Sequence, residues 1–154
     1  MKLILKPLTP EDLEIIIPRA FEAREMAMIG NLPARVAACW EHGAAYCGWL
    51  GGDILACAGV TLLWRGVGAA WCITSPLVAR HPLSFHRAVR RMLDLLEASL
   101  GLHRVQVEVQ GDHFVSQRWV ERLGFEFEGF MPGYGPDGSR YVRFGRVRQP
   151  REGA

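Results

Sequence analysis

The cleanest pattern in the chain is a strict alternation at RVQVEVQ, where Val105, Val107 and Val109 interleave with Gln106, Glu108 and Gln110. A period of two puts the valines on one face and the polar side chains on the other, as in a strand half-covered by a core. Two longer β-like runs, AAYCGWL and DILACAGVTLLW, meet at Gly51–Gly52, a hairpin signal. RGVG marks another turn, and AAWCITSPLV, residues 69–78, a further strand. Residues 3–6, FEFEGF and RYVRFGRV complete the strands. The last two are joined by MPGYGPDGS with its Pro-Asp-Gly turn.

Helical spacing fills the gaps. TPEDLE is a strong helix start, with Thr9 as N-cap, Pro10 at the first helical position and Asp12 at the capping-box position. Leu13, Ile16, Ile17, Ala20 and Phe21 continue it, and Pro18 is expected to kink or interrupt it. GNLPARVAACWEHG predicts a second helix, residues 30–43. Residues 83–100 predict a third, with Phe85, Val89, Met92, Leu93, Leu96 and Leu100 on one stripe and Gly101 closing it. DHFVSQRWVERLG predicts a short fourth helix ending at Gly124. The order is β-α-α-β-β-β-α-β-α-β-β, a mixed α/β layer structure with room for a parallel crossover between residues 70 and 109. One domain over residues 1–148 and a frayed tail over 149–154 are expected.

Composition narrows the setting. The chain has 154 residues, with 18 basic against 16 acidic side chains and a formal charge of +2. That balance gives no argument for nucleic acid. The tryptophans (Trp40, Trp49, Trp64, Trp71 and Trp119) form no stacking series with basic residues between them. Arg140, Arg143, Arg146, Arg148 and Arg151 cluster at the end, where an edge strand running into a charged tail is expected. Cys39, Cys47, Cys57 and Cys72 make no CxxC pair and no zinc spacing, and sit among apolar residues as buried thiols do. The start is broken by Lys6, Pro7 and acids, unlike a signal peptide, and no apolar run has membrane-spanning length. A cytoplasmic setting without membrane partners is expected.

The order and spacing resemble the GNAT superfamily of acetyl-CoA-dependent N-acetyltransferases. The most specific stretch is VQVEVQGDHFVSQRWVERLGFEFEGF, residues 105–130. It is similar to enzymes that acetylate the N-termini of ribosomal proteins, where a strand is followed by Asn-x-x-Ser, an amphipathic helix, Leu-Gly-Phe and then Glu-Gly. Ser116, Leu123-Gly124-Phe125 and Glu128-Gly129 match, and His113 stands at the asparagine position. A looser likeness, through AWCITS, a glycine-poor turn and YGPDG, is to GNAT-like proteins of bacteriophages and prophages.

The resemblance implies acetyl-CoA as co-substrate, a primary amine as acceptor and direct attack without a covalent enzyme intermediate. It places the pyrophosphate at the turn before the third helix, whose family pattern is Arg/Gln-x-x-Gly-x-Gly/Ala. His81 takes the Arg/Gln position beside Arg80, and Ser84 and His86 replace the small residues. The implied cofactor set is Leu77, Val78, Arg80, His81, Leu83, Ser84, Phe85, His86, Arg87, His113 and Ser116. Ser84 is small enough to serve, whereas Pro82 removes one N–H donor and His86 is bulky. Arg80, His81, His86, Arg87, Arg90 and Arg91 crowd the positive end of a helix dipole, and Asp94 and Glu97 come later. An anion would relieve that arrangement. The alternative is a solvated basic face with Arg90–Asp94 as a helix pair.

For catalysis, the family's thiol-acid tyrosine corresponds to Val120, which donates no proton. Ser116, one turn earlier, is the substitute, and Glu108 is the candidate base, with His113, Tyr134 and Tyr141 as further candidates. The missing glycines and tyrosine keep a second reading open, a catalytically inactive GNAT-fold structural or interaction protein. The resemblance also implies homodimerisation through the late strands.

Overall fold

A computed structural model describes residues 2–16, 18, 37 and 43–148. The elements are β1 (Leu3–Pro7), α1 (Pro10–Ile15), β2 (Gly43–Leu50), β3 (Asp53–Trp64), β4 (Val67–Thr74), a 3-10 turn (Pro76–Ala79), α2 (Pro82–Ser99), β5 (Arg104–Gln110), α3 (Phe114–Arg122), β6 (Glu126–Met131) and β7 (Tyr141–Val147). The helix expected over 30–43 lies outside the described residues, as do Cys39, Trp40 and the tail from 149.

The described strands form one sheet in the order β1-β2-β3-β4-β5-β7-β6. Neighbours are antiparallel except β4 and β5, which run parallel on either side of α2. The β2–β3 hairpin turns on Gly51 and Gly52, with φ of 60° and 91°, the left-handed pair that a tight hairpin requires. At α1 the backbone N–H of Thr9 donates to Asp12 Oδ2 at 2.8 Å, completing the expected cap. The helix stops at Ile15, and Ile16 is already extended, with ψ 132°. Pro18 explains the stop, because its ring clashes with the carbonyl four residues back.

The sheet is covered on both faces. Met92, Leu93 and Leu96 of α2 and Val120 and Leu123 beyond β5 pack on Val60, Val105, Val109, Val142 and Phe144. Leu8, Leu13 and Ile16 cover Ala45, Cys47, Cys57 and Ile73 on the opposite face. The Cys47 and Cys57 sulfurs face each other across β2 and β3 at 2.6 Å, as free thiols. Their hydrogen bond and burial push the Cys57 thiol far up from its ordinary pKa.

Two expectations are corrected. The strand expected over 69–78 ends at Thr74. Ser75 donates both its N–H and its hydroxyl to the Leu55 carbonyl, at 3.0 and 3.1 Å, and Pro76 then opens the 3-10 turn. Leu77 and Val78 therefore belong to the turn. The arginine-rich end is not an edge strand either, because β7 lies between β5 and β6. Its charges have partners on both sides. Arg143 Nε donates to Glu108 Oε1 at 3.1 Å. Arg146 pairs with Asp94, and its Nε lies 3.1 Å from Glu97 Oε1. Arg148 Nε lies 3.1 Å from Glu97 Oε2.

Candidate functional site

The two halves of the sheet part between β4 and β5. Register pairing there covers only Val67↔Arg104, Gly68↔Val105 and Ala69↔Gln106. Beyond that point β4 follows β3 to the Ala56↔Thr74 pair, and β5 follows β7 to Gln110↔Tyr141. The C-terminal ends of two parallel strands thus diverge, and α2 starts from that end. A ligand held at the start of α2 has a path between the strands.

The start of α2 decides what it can hold. Pro82 has no N–H, and the Phe85 N–H already donates to the His81 carbonyl at 3.0 Å. Leu83 and Ser84 lie between them, both exposed, and neither N–H meets an acceptor among the described residues. His81, the N-cap, contributes no side-chain cap. Two donors and the Ser84 hydroxyl are therefore open to an anion at the positive end of an 18-residue helix. Arg80, Arg87, Arg90 and Arg91 are exposed, and none is in an ion pair among the described residues. The Arg90–Asp94 pair of the alternative reading does not form, and Asp94 pairs with Arg146 on β7 instead. Among the described residues no acid pairs with the basic face of α2.

Other sequence candidates fall in four environments. Phe85 turns inward, 6% exposed, and its ring stacks on Trp119 of α3 at 5.0 Å between centroids. Leu77, Val78 and Cys72 pack into the same cluster, so Leu77 and Val78 form its wall. His86 is half-buried. His113 caps α3, its Nδ1 accepting from the Ser116 N–H at 3.3 Å, which assigns the ring proton to Nε2. The Ser116 hydroxyl has no partner among the described residues. Val120 is buried in the main core.

Glu108 is not a solvated strand residue. Its Oε1 accepts from Gln106 Nε2 and from Arg143 Nε, both at 3.1 Å. Arg104 reaches Glu128 across β7, with Nη1 to Oε2 at 2.7 Å, and that hydrogen bond lowers the Glu128 pKa. Arg104, Gln106, Glu108, Arg143 and Glu128 make a polar ladder on the sheet face away from α2. Tyr141 is buried and Tyr134 exposed, with their rings edge to face at 5.2 Å. No described helix is long and apolar enough to cross a membrane, and no described cluster of three or more His, Cys, Asp or Glu could hold a metal.

Sequence reasoning missed a polar cleft of about 290 Å³, lined by Gln110, Gly111, Asp112, Phe114, Ser139 and Arg140. The signal available was the GD step after β5 and the SR step before β7, two polar turns that the β5–β7 pairing brings together.

Solved acetyltransferases share the architecture over almost the whole chain. An acetyltransferase of the GNAT family from Streptococcus pneumoniae matches with a TM-score of 0.71 at 13% identity, over 96% of this chain and 100% of its own. An IAA acetyltransferase from Bacillus cereus matches with 0.71 at 9% identity, over 96% and 100%. A spermidine N-acetyltransferase mutant from Vibrio cholerae matches with 0.67 at 13% identity, over 94% of each chain. At these identities the likeness establishes the fold, and the chain has the GNAT fold. No family model and no curated protein matches its sequence.

Proposed function

We propose that the protein is an acetyl-CoA-dependent N-acetyltransferase that passes the acetyl group to a primary amine by direct attack. The observation that carries this reading is the pair of open N–H groups at Leu83 and Ser84. They stand where β4 leaves β5, among arginines that pair with no acid among the described residues. In this reading the two N–H groups and the Ser84 hydroxyl hold the pyrophosphate, and Arg80 and Arg87 add charge. At Ser84 the absent glycine matters less than the sequence implies, because Ser84 is small and exposed.

Acetyl-CoA supplies a thioester. The amine nitrogen forms a C–N bond to its carbonyl carbon, the C–S bond breaks, and the sulfur leaves with the electron pair. Ser116 would donate its hydroxyl hydrogen bond to that sulfur and relay a solvent proton to it. Glu108 Oε2, the oxygen that Gln106 and Arg143 leave unengaged, would take the proton released by the amine.

Calorimetric titration of wild type and an R87A/R90A variant with acetyl-CoA tests the reading. Micromolar binding is expected, weakening with salt and about tenfold weaker in the variant. A second reading, a non-catalytic GNAT-fold interaction protein, is favoured by the Phe85–Trp119 stack joining α2 to α3 and by Val120 at the thiol-acid position. No heat at millimolar acetyl-CoA would establish that reading instead.

A further inference from the structure

β2 and β3 carry a pair of thiols that acetyl transfer does not use. Cys47 and Cys57 are Cα partners across the two antiparallel strands. Residues directly opposite in such a pair stand about 4.5–5.5 Å apart at Cα. That spacing falls within the roughly 4.4–6.8 Å that a disulfide bridges without backbone movement. The side chains follow the backbone, and the two sulfurs face each other at 2.6 Å as free thiols.

Among the described residues, each sulfur has only the other to react with. Both residues are fully buried, in a cluster with Leu8, Ile16, Ala45, Ile54 and Ile73. Ile73 of β4 stands opposite Cys57 and shares that cluster. Its neighbour Cys72 therefore projects to the other face of the sheet, where it packs toward α2. No described group of three or more His, Cys, Asp or Glu could hold a metal, so ligation does not account for the pair.

The described cover over the pair is Leu8, Leu13 and Ile16, in and around α1. That helix has six residues, too few to hold without its packing. Opening so small a unit is a local event, which leaves the sheet paired and admits a small oxidant.

We propose that Cys47 and Cys57 form a reversible oxidation site, which a peroxide closes into a disulfide joining β2 to β3 and a dithiol reopens. One sulfur attacks the peroxide. An S–O bond forms, the O–O bond breaks, and the departing oxygen takes up the thiol proton and leaves as water. The partner sulfur then attacks the sulfenic acid. The S–S bond forms, the S–O bond breaks, and the hydroxyl leaves with the partner's proton as a second water. The two sulfurs give up two electrons in all, and the peroxide takes them. The pair lies on the sheet face opposite α2, so the reaction requires neither acetyl-CoA nor the start of α2. The bridge joins residues ten apart in sequence and restricts the unfolded chain.

The test is the intact mass and thermal melting of C39A/C72A, in which the pair supplies the only thiols, after treatment of the native protein with hydrogen peroxide. The chain is expected to lose two hydrogen atoms without dimerising and to regain them with dithiothreitol. The bridged form is expected to melt several degrees above the reduced one. If C39A/C72A fails to fold, oxidised wild type cleaved before Asp53 and sequenced by tandem mass spectrometry should show Cys47 joined to Cys57. A native mass that stays unchanged while the urea-unfolded chain loses two hydrogen atoms overturns the proposal. So does a gain of oxygen with no hydrogen lost, which marks separate oxidation of the thiols. A bridged form that melts below the reduced one, or a bridge to Cys39 or Cys72 in wild type, overturns it as well.

Discussion

Glu97 and Glu128 lie in the same half of the molecule, and their surroundings push them in opposite directions. Burial raises the Glu97 pKa against the pull of Arg146 and Arg148. The folded chain then keeps a proton that the unfolded chain has released, so Glu97's contribution to stability falls as pH rises from the ordinary carboxylate pKa to its raised folded value. Arg104 lowers the Glu128 pKa, so its contribution is present above the ordinary value and is lost as pH falls through the folded one. Urea unfolding across the acidic range should show E97Q gaining on wild type as pH rises and E128Q falling behind it. The same sign for both would contradict the assignment. Gly124 makes a further residue-scale case. Its φ of 93° is left-handed, and among the described residues only Arg146 atoms, at 3.9 Å, lie near an added methyl. G124A should cost about 1 kcal/mol through backbone strain alone, measured by chemical denaturation.

At the scale of elements, α2 carries an arrangement that local rules disfavour. Arg87, Arg90 and Arg91 are spaced three and four apart on one exposed face, where like charges repel by about 0.2–0.5 kcal/mol per pair. R87A/R90A should therefore melt no lower than wild type without ligand, even as it loses acetyl-CoA affinity. A lower melting point would mean that the arginines serve the fold instead. The apolar stripe of α2 and the alternation of β5 were legible because each period matches one buried face. The end of β4 was not, because Pro76, Leu77 and Val78 read as a continuing apolar run. What ends the strand is the 3-10 turn that opens at Pro76, just after Ser75 is tied to Leu55, twenty residues away. The place of β7 was hidden for a similar reason: Arg143, Arg146 and Arg148 look like solvent-facing charges until Glu108, Asp94 and Glu97 are brought to them.

At the scale of the whole molecule, one parallel pair in an otherwise antiparallel sheet of described strands sets where the candidate site lies. β4 and β5 stay together for three pairs and then follow different neighbours, which opens the sheet at the end where α2 begins. That much was legible through the element order and the Leu123-Gly124-Phe125 stretch. The chemistry was less so. The sequence shows which residues replace the expected glycines, but only the backbone path shows that no described acceptor takes the Leu83 and Ser84 N–H groups. E108Q addresses the catalytic half of the account and should slow acetyl transfer by about 100-fold, the lower range for a positioned base, with acetyl-CoA affinity unchanged. The central claim is that those two backbone groups hold the pyrophosphate, and the backbone amide resonances of Leu83 and Ser84 test it most directly. On titration with acetyl-CoA they should shift saturably at micromolar concentration, ahead of those at the far end of α2. Resonances that stay in place at millimolar acetyl-CoA would contradict it.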